Sequence, residues 1–199
     1  YFWQGEMIYK SGQHMAAAEI FKEFMGMTGA VMLNEFELAK YNIGYCYFNL
    51  KDWNSARTWF SQYTSNTKNN DKEKMADALI RFADCNFMMG KYEGAADNYE
   101  TAIAIGKKDV DYCIYQKAIC NGYLKNYEEK IFDLKTLATD YPNSDYISGS
   151  YLEIAEAYIR EGESKYPNAI DYYNKYLQKY PNSAKKDKVN AQIGVLYYR

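Results

Sequence analysis

The sequence repeats one pattern of small and bulky residues at intervals of 35 to 39 residues. In each copy a small residue is followed about a dozen residues later by a second small residue, and a bulky side chain comes four residues after that. Small residues let two helices approach closely, and a bulky side chain one turn further on fills the groove beside them. The pattern therefore predicts antiparallel helix pairs that stack along the chain.

Three positions of each copy define the register of the repeat. The first small residue is Gly5, Gly44, Ala83, Ala118, Ala155 and Gly194. The second small position holds Ala17, Ala56, Ala95, Lys130 and Ala169, and the bulky position holds Phe21, Phe60, Tyr99, Leu134 and Tyr173. Lys130 is the departure from this rule.

The turn inside each pair has its own signature. Gly12, Gly90 and Gly162 stand where a helix ends in the left-handed conformation, which glycine adopts without steric cost. Lys51 and Lys125 stand in place of glycine in two copies. We expect a left-handed residue at all five turns.

Composition excludes several classes of protein. The 199 residues are 48% hydrophobic and 25% charged, so the chain can bury a core, and 23 tyrosines raise the aromatic share to 18%. The net charge is only −2, which gives no basic surface for nucleic acid. No apolar run approaches the roughly 20 residues of a membrane span, so no direct membrane insertion is predicted.

The titratable residues favour a protein without metal, cofactor or catalysis. The four cysteines form no CxxC motif and the chain has one histidine, His14, which rules against a zinc site and a thiol–imidazole pair. Cys113 and Cys120 lie two helical turns apart, about 10 Å, which is too far for a disulfide. We expect all four cysteines to be buried, unpaired core residues. The chain is therefore predicted not to be an enzyme.

Two segments carry a resemblance to tetratricopeptide repeat (TPR) proteins. They run from Tyr41 to Phe60, through Gly44, Trp53 and Ala56, and from Gly90 to Tyr99, and they follow the family pattern W-x₂-L-G-x₂-Y…A-x₃-F…P. The resemblance implies an all-α, right-handed α-solenoid of antiparallel helix pairs over residues 1–199. The units are approximately 1–33, 34–72, 73–109, 110–144 and 145–183, with a partial unit at 184–199. We expect this stretch to be a fragment of a longer array.

The same resemblance places one face of each first helix on a concave surface. A spacing of four and then three residues puts these side chains on one face of a helix. The implied function is a non-catalytic scaffold that binds a peptide or partner helix in an aromatic groove. The predicted groove residues are Tyr9, Tyr41, Tyr45, Phe48, Asp84, Phe87, Tyr115, Tyr123 and Glu156.

An alternative remains open at the level of sequence. The units could pack against the rest of a larger chain or a second copy, so that the groove residues only fill internal surface. A ligand groove requires its aromatic side chains to be accessible to solvent. A clamp for a terminal carboxylate, as in some TPR proteins, is disfavoured. Glu6 and Asp77 occupy two of the positions that would contact the ligand, and they would repel its negative charge.

The compartment is predicted from the ends of two repeats. Residues 140–144 and 179–183 each contain Tyr-Pro-Asn-Ser, and these repeat ends resemble those of TPR proteins from bacterial cell envelopes. Four unpaired cysteines favour a reducing compartment instead. The bacterial periplasm or an outer-membrane-associated location is favoured over the cytoplasm, while the identity of the partner and the oligomeric state stay open.

Overall fold

The computed structural model describes residues 1–66 and 71–198, and within these ranges the chain forms eleven α-helices and no strand. The end of the predicted second unit, over residues 67–70, lies outside the described residues, as does residue 199. The helices are α1 Phe2–Lys10, α2 His14–Met25, α3 Glu35–Asn49, α4 Trp53–Thr64, α5 Lys72–Met88, α6 Tyr92–Ile105, α7 Val110–Tyr123, α8 Tyr127–Asp140, α9 Ile147–Glu161, α10 Tyr166–Lys179 and α11 Lys186–Tyr198. The predicted all-α class is confirmed.

The chain divides into two compact units, Tyr1–Val110 and Asp111–Arg199, which we call the N-terminal unit and the C-terminal unit. The N-terminal unit contains three helical hairpins, formed by α1 with α2, α3 with α4, and α5 with α6. In the C-terminal unit, α7 and α8 are joined by side-chain hydrogen bonds, α9 packs on α10, and α10 packs on α11. We call α1, α3, α5, α7 and α9 the first helices and their hairpin partners the second helices. By its place in the repeat, α11 corresponds to a first helix.

In the first two hairpins an aromatic ring of the second helix requires glycine at the small position of the first helix. A Cβ atom added to Gly5 would lie 2.7 Å from the ring of Phe21, and one added to Gly44 would lie 2.8 Å from the ring of Phe60. Both rings are fully buried and cannot move aside. The register read from the sequence is therefore the register of packing.

The left-handed turns are present where the sequence predicts them. Gly12 has φ +82°, Gly90 has φ +71°, and the two lysines that replace glycine, Lys51 and Lys125, have φ +58° and +65°. The fifth turn also has positive φ, at Gly162, and is followed by a 3₁₀ turn over Glu163–Lys165 that accommodates its extra residues. Each hairpin is thus closed by one residue in a conformation that favours glycine.

Each unit has its own buried core. Phe21, Ile43 and Phe60 are among the fully buried side chains of the N-terminal unit, and Leu134 and Ile154 occupy the core of the C-terminal unit. The four cysteines are all buried, as predicted. Over the described ranges, no helix combines the length and apolarity that a bilayer span requires.

Candidate interaction surface

One aromatic contact recurs at the end of every first helix in the N-terminal unit. An aromatic residue four positions after the small residue packs on the ring that opens the second helix. The ring centroids are 5.1 Å apart for Tyr9 and His14, 5.3 Å for Phe48 and Trp53, and 5.5 Å for Phe87 and Tyr92. All six residues are half-buried, so each contact leaves part of an aromatic ring at the surface. We call Tyr9, Phe48 and Phe87 the aromatic row.

Further contacts hold members of the row in place. The side-chain amide of Asn49 donates a hydrogen bond of 2.9 Å to the hydroxyl of Tyr9. Burial raises the pKa of Tyr9, and this hydrogen bond opposes the rise. The guanidinium of Arg81 lies over the ring of Phe48, 5.6 Å from its centroid, in a cation–π contact.

Asp77 accepts hydrogen bonds from two tyrosines of α3. Its buried carboxylate accepts hydrogen bonds from the hydroxyls of Tyr41, at 2.7 Å, and Tyr45, and its other oxygen lies 2.7 Å from the ammonium of Lys108. Burial alone would raise the pKa of Asp77, but the bonds from Lys108 and the two tyrosines outweigh it, so the pKa is lowered. Burial raises the pKa values of Tyr41 and Tyr45, and hydrogen bonding to Asp77 raises them further.

The residue after the small residue of each first helix receives a donor in the N-terminal unit, and we call it the acceptor position. Asn42 donates to Glu6 over 3.3 Å, and Arg81 donates to the hydroxyl of Tyr45 over 3.3 Å. Both donors lie two residues before the small residue of the following first helix. These two hydrogen bonds therefore link α1 to α3 and α3 to α5, which are successive first helices.

Asp84 holds the third acceptor position and lies beneath the surface. It is only 8% exposed, and its two oxygens contact the guanidinium of Arg81, at 2.5 Å, and the hydroxyl of Tyr99, at 2.6 Å. The predicted groove residue Asp84 is therefore engaged within the hairpin, because its carboxylate needs both donors to be buried.

The predicted groove residues of the C-terminal unit lie in two different environments. Tyr115 is half-buried and stacks on Tyr146 at 5.1 Å with an interplanar angle of 25°. Burial, followed by the charge of Glu153, raises the pKa of Tyr115 to about 12. Tyr123 is 57% exposed, and Glu156 is exposed on α9.

The structure thus separates the predicted residues by role. Tyr41, Tyr45 and Asp84 are tied into polar networks, the aromatic row and Tyr115 are half-buried, and Tyr123 and Glu156 are open to solvent. Sequence reasoning missed Arg81 and Lys108 as partners of the buried acids. The position of Arg81 two residues before Ala83 is a usable signal, since Asn42 has the same place before Gly44.

Within the described ranges, no three His, Cys, Asp or Glu side chains are grouped to hold a metal ion. Successive antiparallel helix pairs, closed by left-handed turns and packed small residue against aromatic ring, define an all-α helical-repeat protein. The sequence profile of a tetratricopeptide repeat family matches residues 38–66, 112–144 and 150–183. These three stretches are tetratricopeptide repeats, which supports the resemblance of the chain to tetratricopeptide repeat proteins.

Solved structures share this fold. A crystal structure of MamA protein has a TM-score of 0.70 and 21% identity, covering 92% of this chain and 90% of that one. MamA 41-end from Desulfovibrio magneticus RS-1 has a TM-score of 0.67 and 16% identity over 90% of this chain and 93% of that one. YrrB, described as a TPR protein with an unusual peptide-binding site, has a TM-score of 0.73 and 12% identity over 94% and 88%. A comparison with curated protein sequences finds no similar sequence.

Proposed function

We propose that this chain is a non-catalytic scaffold that binds a peptide or partner helix along the exposed side of its first helices. The observation that supports this most directly is the aromatic row, Tyr9, Phe48 and Phe87, which repeats one half-exposed aromatic group per hairpin in the N-terminal unit. Aromatic groups provide a large contact area and have few torsions to restrict on binding.

The rigidity of the surface supports the same function. Asn49 and Arg81 fix members of the row, while Asp77 holds the neighbouring Tyr41 and Tyr45. A surface that is already ordered loses little conformational entropy when a ligand binds. On this proposal the tyrosines bound to Asp77 form the floor of the groove, and the row provides its exposed contacts. YrrB is described as having a peptide-binding site, and extending such a role to this chain is part of the proposal.

Site-specific photo-cross-linking tests the proposal at aromatic positions that are partly or fully exposed. A benzoylphenylalanine is placed at Phe87 or Tyr123 on first helices, and at Trp59 or Phe132 on second helices as matched half-buried and exposed controls. After capture from an extract, we expect protein adducts at positions 87 and 123 and none at 59 and 132. Equal adducts at all four positions, or none at 87 and 123, would contradict a groove on the first helices.

A second candidate, assembly with another copy, is favoured by apolar exposure on α1. Trp3 is 66% exposed and Met7, one turn further on, is 73% exposed. Light scattering during size exclusion tests it. On this candidate the chain forms oligomers that Trp3→Lys with Met7→Lys dissociates, while Met15→Lys on α2 leaves them intact. A monomeric chain at high micromolar concentration would exclude self-assembly.

A further inference from the structure

The repeat register aligns the helices of the α9–α10 hairpin with those of the α5–α6 hairpin. Ala155 corresponds to Ala83 in the first helix, and Ala169 corresponds to Ala95 in the second. Three further positions follow from these alignments: Glu153 takes the place of Arg81, Glu156 that of Asp84, and Tyr173 that of Tyr99. The two hairpins can therefore be compared side chain by side chain.

In the α5–α6 hairpin the side chains at these three positions contact one another. The guanidinium of Arg81 contacts one oxygen of Asp84 at 2.5 Å, and the hydroxyl of Tyr99 donates to the other at 2.6 Å. One cation, one carboxylate and one phenol satisfy each other, and Asp84 and Tyr99 are buried. A buried carboxylate is stable when it has such partners.

In the α9–α10 hairpin no cation stands at the position of Arg81. Glu153 replaces the arginine and is itself paired with the ammonium of Lys130. Tyr173 is only 3% exposed, and its pKa is raised to about 12 by burial and then by the charges of Glu156 and Glu153. In the part of the chain that the structure describes, neither the hydroxyl of Tyr173 nor the carboxylate of Glu156 has a hydrogen-bond partner.

The second donor of the N-terminal unit is missing as well. Asn42 and Arg81 reach the preceding acceptor position from two residues before a small residue. The corresponding residue before Gly194 is Gln192, for which the described residues show no hydrogen bond to Glu156. Glu156 therefore receives a hydrogen bond from neither of the two positions that supply donors in the N-terminal unit.

A cavity of about 480 Å³ lies at these groups, lined by both Glu156 and Tyr173. Its volume is within the range of sites that hold small ligands or side chains. Leu152, Ile159 and Val189 provide apolar walls, and three exposed cations also line the cavity: Arg160 on α9, Lys185 just before α11 and Lys188 on α11. The cavity therefore has carboxylates beside the phenol of Tyr173 and cations at its rim.

We propose that this cavity binds a basic side chain of a protein partner, arginine or lysine, that is next to an acidic residue of the partner. The guanidinium or ammonium contacts the carboxylate of Glu156 and takes the place that Arg81 has beside Asp84, while the hydroxyl of Tyr173 donates to Glu156 as Tyr99 does to Asp84. The neighbouring acidic side chain of the partner pairs with Lys185 or Lys188. This inference rests on the proposed function, because it assigns the class of partner segment to one part of the binding surface.

Fluorescence polarisation with two labelled peptides tests the inference. One is a capped alanine peptide with Arg-Asp at its centre, and the other has citrulline in place of arginine, which keeps the shape and removes the charge. We expect the arginine peptide to bind at least tenfold more tightly. Glu156→Gln and Tyr173→Phe should each weaken binding of the arginine peptide about tenfold and leave the citrulline peptide unchanged, because they remove the charge and the hydroxyl that serve the cation.

Glu163→Gln, an exposed residue that does not line the cavity, is the matched control and should bind as the original chain does. Equal binding of the two peptides, or full binding by Glu156→Gln, would overturn the inference. Glu156 is exposed, so loss of folding does not confuse the result, and thermal melting of each variant verifies it. Adducts at positions 87 and 123 together with equal peptide binding would refute the cavity alone, whereas the absence of adducts at both positions would refute the proposed function.

Discussion

At the residue scale, close contact between a glycine and an aromatic ring fixes the geometry of the hairpins. Gly5 and Gly44 leave no room for a side chain, whereas no atom lies within 4 Å of the Cβ position of Gly194. The three glycines share one place in the repeat, yet they differ in what a substitution would meet. This difference allows a matched pair of variants.

Gly44→Leu should lower the free energy of unfolding by more than about 2 kcal/mol, because the new side chain must displace the buried ring of Phe60. Gly194→Leu should raise it by up to about 1 kcal/mol, since leucine has the higher helix propensity and meets nothing. Urea unfolding followed by circular dichroism measures both. Similar destabilisation by the two variants would show that ring contact is not the cause.

Asp77→Asn should destabilise the chain by about 2 kcal/mol at neutral pH, because Tyr41, Tyr45 and Lys108 no longer donate to a buried charge. The pKa of Asp77 is lowered in the folded state, so its contribution is complete above the unfolded value of about 3.9 and is lost as the pH falls through the folded value. The difference in stability between the original chain and Asp77→Asn should therefore be constant above about pH 5 and shrink below about pH 4.

Urea unfolding at a series of pH values measures this difference. Asp97→Asn, at an exposed position of α6, is the control and should change stability little at any pH. A difference between the original chain and Asp77→Asn that stays constant down to pH 3 would contradict the assignment.

At the scale of the element, the turns show how well the repeat specifies local structure. Five predicted turns have a residue with positive φ, including the two where lysine stands in place of glycine. The left-handed conformation costs a residue with a Cβ atom about 1–2 kcal/mol, so Lys51 and Lys125 are under strain that glycine would not have. The hairpin shape therefore depends on the position in the repeat more than on the residue there.

Lys51→Gly should stabilise the chain by about 0.5–1 kcal/mol, because relief of the left-handed backbone exceeds the entropy that glycine adds to the unfolded state. Lys72→Gly, in the first turn of α5, is the opposite case and should be neutral or destabilising. Differential scanning calorimetry measures both changes in melting temperature. Stabilisation by both variants would indicate an effect of charge and not of backbone conformation.

The sequence predicts these elements because each rule is local or repeats at one period. It specifies the partners of Asp77 less well, since they come from other parts of the chain. The ion pair between Asp77 and Lys108 joins side chains 31 positions apart with no shared place in the repeat. Lys130 is a similar case: it fits a small-residue position because Gly122 provides room and Glu153 provides a charge. Neither partner follows from the repeat pattern.

At the scale of the whole molecule, the two proposed binding features lie in two different compact units. The N-terminal unit presents the aromatic row, and the C-terminal unit presents the cavity beside Tyr173. Repeat proteins gain stability mainly from neighbouring repeats, so each unit can open as a cooperative group. Any ligand that binds only one unit should protect that unit more than the other.

Alkylation of the buried cysteines can report when the repeats around them unfold. Cys46 and Cys85 lie in the N-terminal unit, and Cys113 and Cys120 lie in the C-terminal unit. Burial raises the pKa of the Cys46 and Cys85 thiols to about 12, and alkylating reagents attack the thiolate, so labelling requires the chain to open.

Pulsed alkylation across a urea series, read by mass spectrometry of tryptic peptides, should label Cys46 and Cys85 with one midpoint and Cys113 and Cys120 with one midpoint. Different midpoints for the two cysteines of one unit would show that hairpins open singly. Four side chains without any proposed role in binding thus report, position by position, the size of the groups in which the repeats unfold.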